Sequence, residues 1–124
     1  MIYKELGKTG QKISALGFGG GIGGVKSNTS NYSGMESALF QSLDLGVNFI
    51  DTSPVYGNGD SERIIGKAIK DIRANIILAT KVLPGRTDYK GVVESVEESR
   101  TSMSQARCFL LEFLRINSPS IDCL

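Results

Sequence analysis

An acid, a phenol and an amine follow two apolar runs of this sequence. Asp51 ends the run "VNFID", Tyr56 lies in the loop "TSPVYGNG" that follows, and Lys81 ends the run "NIILATK". A phenol is a poor acid at neutral pH, but a neighbouring ammonium stabilises the phenolate, and a carboxylate can hold that ammonium charged and in place. We therefore predict that these side chains form a general acid that protonates a carbonyl oxygen while hydride reaches the carbon.

Each of the three residues also has a purely structural explanation. An Asp at a strand end often caps a loop or a helix, a Lys can be a solvated charge on a rim, and a single Tyr is more often a packing residue than an acid. When only the spacing of these residues is considered, the structural explanations are commoner than the catalytic one. The elements that position Asp51, Tyr56 and Lys81 therefore decide between the two interpretations.

The hydrophobic pattern predicts that short strands alternate with helices. Glycines in "GKTG" favour an opening hairpin, continuously apolar runs favour strands, and apolar residues at helical spacing favour helices. Gly46 is expected to end the first helix in a left-handed conformation, and Asp60 to be the N-cap of the second. The predicted elements are a hairpin of Tyr3 to Leu6 and Gln11 to Ile13, a strand from Ile13 to Phe18, a helix with apolar positions Met35, Ala38, Leu39 and Leu43, a strand from Val47 to Asp51, a helix with Ile64, Ile65, Ala68, Ile69 and Ile72 on one face, a strand within residues 75–83, and a helix with Val92, Val93 and Val96 inward and "VEES" outward.

Continuously apolar strands are buried on both faces, which predicts a parallel α/β sheet. In such folds the site lies at the carboxyl ends of the strands, where Gly19-Gly20-Gly21, Asp51 with Tyr56, and Thr80-Lys81 would share one rim. The glycine cluster does not match a Rossmann fingerprint, because Asp51 follows it by about 30 residues rather than ~20. A flexible loop is the default interpretation of "GFGGGIGG".

The composition excludes several classes of partner. The formal charge of +1 provides no basic surface for nucleic acid or an anionic membrane, and no apolar run approaches the length of a membrane span. Cys108 and Cys123 are too few for a disulfide framework, and a chain without His lacks the usual nitrogen ligands of zinc, so no metal site is expected. We expect a cytoplasmic protein whose partner is a small neutral ligand or a protein surface.

The composition changes near Ser99. All glycines lie at or before Gly91 and all lysines at or before Lys90, whereas both cysteines lie in "RTSMSQARCFLLEFLRINSPSIDCL". We divide the chain into residues 1–99 and a divergent segment, residues 100–124. This segment is either a locally biased helix and strand or the product of a frameshift or alternative splicing.

Four motifs in order resemble the first third of an aldo-keto reductase. They are "YKELGKTGQKISALGFGG", "SLDLGVNFIDTSPVYG", "SERIIGKAIK" and "ATKV", and together they cover residues 1 to about 99. The resemblance implies a partial (β/α)8 TIM barrel of about three to four βα units, with an N-terminal β-hairpin closing its bottom. It also implies reduction of a small aldehyde or ketone substrate with NADPH.

The resemblance assigns roles to individual residues. Asp51, Tyr56 and Lys81 match the catalytic Asp, Tyr and Lys of the family, with Tyr56 as the general acid. Gly19, Gly20 and Asp51 fall where the family's early loops approach the nicotinamide end of the cofactor. The family completes this set with a His at the end of the fourth strand, and in this chain "FLRINSP" has Asn117 in that place.

The length of the chain leads to two expectations about its activity. A complete barrel takes roughly 250 residues, and this sequence stops near the fourth strand. One expectation is a truncated reductase that is inactive alone and self-associates through its open edges. The alternative is a non-catalytic fragment or pseudoenzyme that acts as a binding or regulatory module, as the channel-associated relatives of the family do.

Overall fold

The structure, a computed structural model, describes residues 1–21, 34–83 and 85–103 in full and residues 110–113 by their backbone. Strands and helices alternate along the chain after an opening hairpin. The elements are β1 (Tyr3–Glu5), β2 (Lys12–Ser14), β3 (Phe18–Gly19), α1 (Met35–Asp44), β4 (Phe49–Asp51), a 3₁₀ turn (Tyr56–Gly59), α2 (Asp60–Ala68), a 3₁₀ helix (Lys70–Asn75), β5 (Ile77–Val82), α3 (Tyr89–Ser102) and β6 (Leu110–Phe113).

The sheet has four parallel strands in the order β3-β4-β5-β6, which is also their order along the chain. Helices α2 and α3 connect successive strands, as expected for βα units. All six residues of β5 are buried, in agreement with the predicted strand within residues 75–83. The hydrophobic core of buried residues comprises Met35, Leu39, Ile50, Ile65, Ile69, Ile76, Leu78 and Met103.

The predicted hairpin is confirmed, and side chains attach it to the sheet. β1 and β2 pair antiparallel, and the turn between them places Gly7 and Gly10 at φ 55° and 73°. Asn48, which directly precedes β4, accepts a hydrogen bond from the Ser14 amide (2.7 Å) and donates one to the Lys12 carbonyl (2.9 Å). The Asn48 amide also donates to Ser14 Oγ (3.1 Å). Asn48 therefore fixes the hairpin at the amino end of β4.

The predicted strand from Ile13 to Phe18 is wrong in its extent. Ile13 belongs to β2, and the amide of Ala15 still donates to the Ile2 carbonyl (2.8 Å), so this part of the chain extends the hairpin. The first strand of the parallel sheet is only Phe18–Gly19. Because β2 and β3 both contain apolar residues, the hydrophobic pattern did not show the bend between these two strands.

The C-terminus of α1 confirms the prediction for Gly46. Gly46 has φ 88°, its amide donates to the Leu43 carbonyl (2.8 Å), and the Val47 amide donates to the Ser42 carbonyl (3.0 Å). These two hydrogen bonds form a Schellman motif, which needs a left-handed residue at the position of Gly46. Met35 and Leu39 are buried in this helix, whereas the predicted inward residue Ala38 is exposed.

Helix α2 begins and ends differently from the prediction. Gly59, at φ 88°, is the N-cap, whereas Asp60 is the first helical residue and its carboxylate pairs with the Arg63 side chain. Ile65 and Ile69 are buried as predicted, but Ile72 is 38% exposed. The reason is that the α-helix ends at Ala68 and a 3₁₀ helix follows, which rotates later residues away from the predicted face.

The buried face of α3 agrees only in part with the prediction, since Val92 and Val96 are half-buried but are not its most buried residues. Its buried residues are Gly91, Ser95 and Ser99, four residues apart, and Met103 directly after the helix continues the row. Val93 is 45% exposed, although its type favoured an inward position. Small side chains on this face permit close packing on α2, where a Cβ on Gly66 would lie 2.4 Å from the Cα and carbonyl oxygen of Met103.

No helix in the described part of the chain is long and apolar enough to cross a bilayer.

Gly66→Ala is expected to destabilise the fold. Alanine at a helical position gains about 1 kcal/mol over glycine from propensity, but overpacking costs about 1–3 kcal/mol. The overlap is with the backbone of Met103, which cannot rotate away as a side chain could. We therefore take the upper part of the overpacking range, about 2–3 kcal/mol, and expect the free energy of unfolding, measured by urea denaturation with circular dichroism, to fall by about 1–2 kcal/mol.

Lys67→Ala, at the next and exposed position of α2, is the matched control and should remain close to the original stability. A Gly66→Ala variant as stable as the original chain would contradict the close packing of α2 on α3.

Candidate active site

The side chains of Lys81 and Asp51 form an ion pair at the carboxyl ends of β4 and β5. Asp51 lies opposite Ala79 in the parallel register, and Lys81, two residues further, projects from the same face of the sheet. Lys81 Nζ donates to Asp51 Oδ1 (2.6 Å) and to the Thr52 carbonyl (3.0 Å). The ion pair expected from the sequence is therefore present.

The burial of Lys81 makes its ion pair with Asp51 important for the stability of the site. The Lys81 side chain is 6% exposed and that of Asp51 is 33% exposed. Removing an ammonium from water is costly unless a counter-charge and hydrogen bonds compensate for the lost hydration. The Asp51 carboxylate and the Thr52 carbonyl supply both, and the partial exposure of Asp51 leaves its carboxylate accessible to water.

The loop after β4 places Tyr56 beside this pair. The Tyr56 amide donates to the Ser53 carbonyl (3.1 Å), and the chain then reverses through three left-handed residues: Gly57 (φ 59°), Asn58 (φ 52°) and Gly59 (φ 88°). Two of these are glycines and the third is Asn, a residue type that tolerates this conformation. Lys81 Nζ consequently lies 5.3 Å from the centroid of the Tyr56 ring, within the range of a cation–π contact.

The glycines after β3 complete the same rim. Gly19 pairs with Asp51 in the sheet, and the Gly20 amide donates to the Asp51 carbonyl (2.7 Å). A Cβ on Gly21 would lie 3.3 Å from the Tyr56 ring, so the glycine backbone packs directly on the phenol. A Cβ on Gly19 would meet no atom of the described residues within 4 Å.

The structure thus brings together the residues that the sequence predicted for this site. Lys81 contacts Asp51 and lies beside the Tyr56 ring, and Gly19 and Gly20 adjoin Asp51. Asn117 lies outside the described residues. Among residues 1–21, 34–83 and 85–103, no cluster of three His, Cys, Asp or Glu side chains could hold a metal ion.

A buried polar network on the other face of the strands was missed in the sequence. Ser61 Oγ donates to the Gly20 carbonyl (3.0 Å) and shares a hydrogen bond with Thr52 Oγ1 (2.8 Å), and Thr80 Oγ1 donates to Glu62 Oε1 (2.7 Å). A signal for it exists in the sequence. Ser61 and Glu62 precede Ile65 by four and three residues, so helical spacing places them on the buried face of α2.

The arrangement of Asp51, Tyr56 and Lys81 is suited to proton donation. An ammonium held against a carboxylate lies beside the ring of a phenol, so the three groups predicted from the sequence to form a general acid adjoin one another through Lys81. Bare glycine backbone adjoins the carboxylate, and none of the described residues has an atom within 4 Å of a Cβ placed on Gly19. Such a site has the groups needed to donate a proton to a polar atom of a substrate.

Comparison with known proteins identifies a family and a fold. A model of the aldo/keto reductase family matches residues 15–113. Among solved structures, the thermostable aldo-keto reductase Tm1743, in complex with the inhibitor epalrestat, aligns with a TM-score of 0.80 at 37% identity, covering 90% of this chain and 42% of that one. The predicted partial (β/α)8 barrel is therefore confirmed.

The names of two curated relatives describe different kinds of protein, a channel subunit and an enzyme. The "Probable voltage-gated potassium channel subunit beta" of Arabidopsis thaliana is 35% identical over 127 residues, which is 96% of this chain and 38% of that protein. The aldo-keto reductase YhdN of Bacillus subtilis is 40% identical over 113 residues, which is 80% of this chain and 33% of that protein. The chain thus spans 33–38% of the length of these relatives.

Asp51→Asn is expected to destabilise the chain, because it removes the carboxylate from beside a nearly buried ammonium. Breaking a fully buried pair costs about 3–5 kcal/mol, and the partial exposure of Asp51 lowers our expectation to about 1–3 kcal/mol. Urea denaturation measures this loss. Glu98→Gln is the matched control, because Arg86 and Glu98 are also 2.6 Å apart but are 43% and 63% exposed. Its effect should be below about 0.5 kcal/mol.

The double variant Asp51→Asn/Lys81→Met should recover part of the lost stability, since it removes the buried charge together with its partner. Equal effects of Asp51→Asn and Glu98→Gln would show that burial does not strengthen the Lys81–Asp51 pair.

Proposed function

Because this chain belongs to the aldo/keto reductase family, we propose that its site reduces an aldehyde or ketone with NADPH as the hydride donor. The observation that carries the proposal is the position of the Lys81 ammonium, bonded to Asp51 Oδ1 at 2.6 Å and lying 5.3 Å from the centroid of the Tyr56 ring. Members of the family are oxidoreductases. The role of each residue in this chain is part of the proposal.

In the proposed reaction Tyr56 is the general acid. Its hydroxyl donates a proton to the carbonyl oxygen of the substrate, and the Lys81 ammonium stabilises the phenolate that results. Asp51 is the positioning partner that keeps the ammonium charged and in place. The few polar groups on this rim would orient the carbonyl, and the small size of Gly21 allows the phenol to pack against the backbone.

The residues beside Asp51 fit the nicotinamide end of NADPH. Gly19 and Gly20 present backbone without side chains, and no described atom lies within 4 Å of the point that a Cβ on Gly19 would occupy. When bound, NADPH supplies the hydride that is transferred to the carbonyl carbon. We propose that Gly19, Gly20 and Asp51 line the cofactor there, in a cytoplasmic protein.

A second candidate is a non-catalytic binding or regulatory module. It is favoured by the similarity over 96% of this chain to a relative whose name describes a potassium channel subunit. In the sequence, the absence of His also removes one member of the family's catalytic set. A partner protein would then replace the carbonyl compound as the ligand.

Titration of the purified chain with NADPH distinguishes these candidates. The reductase proposal predicts saturable enhancement of cofactor fluorescence, and consumption of NADPH with an added aromatic aldehyde once the missing strands of the barrel are present. For the chain alone, which is expected to be inactive, saturable binding of NADPH supports the reductase proposal. No binding at millimolar NADPH would remove the reductase role for this chain.

In any preparation of this chain that reduces an aldehyde, Tyr56→Phe is expected to lower the rate by about 100-fold or more, because it removes the proton donor. The affinity for NADPH should stay the same, since the ring and its packing are kept. Tyr89→Phe, at an exposed position of α3, is the control and should match the original chain in both measurements. Turnover retained in Tyr56→Phe would refute Tyr56 as the acid.

A further inference from the structure

Two consecutive residues of α2 contact the carboxyl ends of three strands. Ser61 Oγ donates to the Gly20 carbonyl after β3 (3.0 Å) and shares a hydrogen bond with Thr52 Oγ1 after β4 (2.8 Å). Glu62 Oε1 accepts a hydrogen bond from Thr80 Oγ1 in β5 (2.7 Å). We propose that Ser61 and Glu62 are positioning residues, which set the spacing of these strand ends and thereby the contact of Lys81 with Asp51.

Both threonines of this network adjoin a residue of the candidate active site. Thr80 directly precedes Lys81, and Thr52 directly follows Asp51. Because successive residues of a strand point to opposite faces, a hydrogen bond on the helix side fixes the backbone from which the next side chain enters the site. The Thr52 carbonyl also accepts a hydrogen bond from Lys81 Nζ (3.0 Å), so one residue takes part on both faces.

The burial of Glu62 is costly for packing alone. Its residue exposure is 2%, its hydrogen-bond partner Thr80 is a neutral hydroxyl, and no cation forms an ion pair with it within the described ranges of the chain. An apolar side chain at this helix position would fill the space without the cost of burying a carboxyl group. The hydrogen bond between Glu62 and Thr80 is therefore explained by its effect on the position of the end of β5 rather than by a gain in stability.

The absence of a side chain at Gly20 is required by the same hydrogen-bond network. A Cβ on residue 20 would lie 2.5 Å from Ser61 Oγ and 3.1 Å from the Asp51 carbonyl oxygen. Only a residue without a side chain lets the hydroxyl of Ser61 reach the backbone at this point. Gly20 thus has a packing role on the helix side, in addition to the cofactor contact proposed for it.

The chain offers a control at the opposite end of the same strands. Asn48 and Ser14 also form a partly buried polar network, but it joins the hairpin to the amino end of β4. Loss of that network should lower stability without moving the carboxyl ends of the strands. A general effect of destabilisation and a specific effect on position can therefore be separated.

The test is NMR of the full chain with ¹⁵N- and ¹³C-labelled lysine, with the Lys81 signal assigned by Lys81→Arg. Thr80→Val and the milder Ser61→Ala should shift the Lys81 ammonium resonance and increase its proton exchange with water several-fold. Glu62→Gln and Thr80→Ser keep an acceptor and a hydroxyl, respectively, and should restore the original signal. Asn48→Ala should lower the urea midpoint and leave the Lys81 signal in place.

An unchanged Lys81 signal in both Thr80→Val and Ser61→Ala would overturn the proposal, as would an equal change in Asn48→Ala. The inference rests on the proposed function only for its consequence in catalysis. Because the readout is the ammonium itself, failure of this test leaves the reductase proposal standing, and absence of turnover leaves this inference standing.

Discussion

The ammonium of Lys81 is almost completely removed from water, and the rest of the site has to compensate for that. A buried charge is tolerated only when a counter-charge and hydrogen bonds are held in good geometry. Here the counter-charge comes from the neighbouring strand, and the additional acceptor is the carbonyl of Thr52. The parallel register of β4 and β5, with Asp51 opposite Ala79, is therefore a requirement of the site.

The carboxyl ends of the strands are polar on both faces, whereas the middle of the sheet is apolar on the helix side. Ile50 and Leu78 belong to the core, and two residues further along each strand Thr52 and Thr80 bond to α2. The core supplies stability through apolar burial, which has no direction. Hydrogen bonds are directional. The change from apolar to polar contacts along the strands therefore marks the place where the strand ends must be held in a defined position relative to α2.

The sequence allowed the prediction of elements and residues whose behaviour depends on local chemistry. Gly46 ends α1 because the Schellman motif needs a left-handed residue, and Asp51 and Lys81 meet because both follow apolar parallel strands. Predictions failed where neighbouring elements decide. The fully buried residues of α3 are Gly91, Ser95 and Ser99 rather than its valines, and the pattern of apolar residues along the sequence does not show this. The polar residues of α2 that reach the strand ends were missed because polar residues are common at any helix start.

Helix α3 and the hydrophobic core both include residues on either side of the change in composition near Ser99. Helix α3 continues through Ser102, and Met103, 1% exposed, belongs to the same core as Leu39 and Ile50. The backbone of Met103 occupies the space beside α2 that a larger residue at position 66 would need. Since the family model also extends to residue 113, the third βα unit is built from residues on both sides of the predicted boundary. Whatever the origin of residues 100–124, their first residues contribute to the core that supports β5 and hence the ammonium at its end.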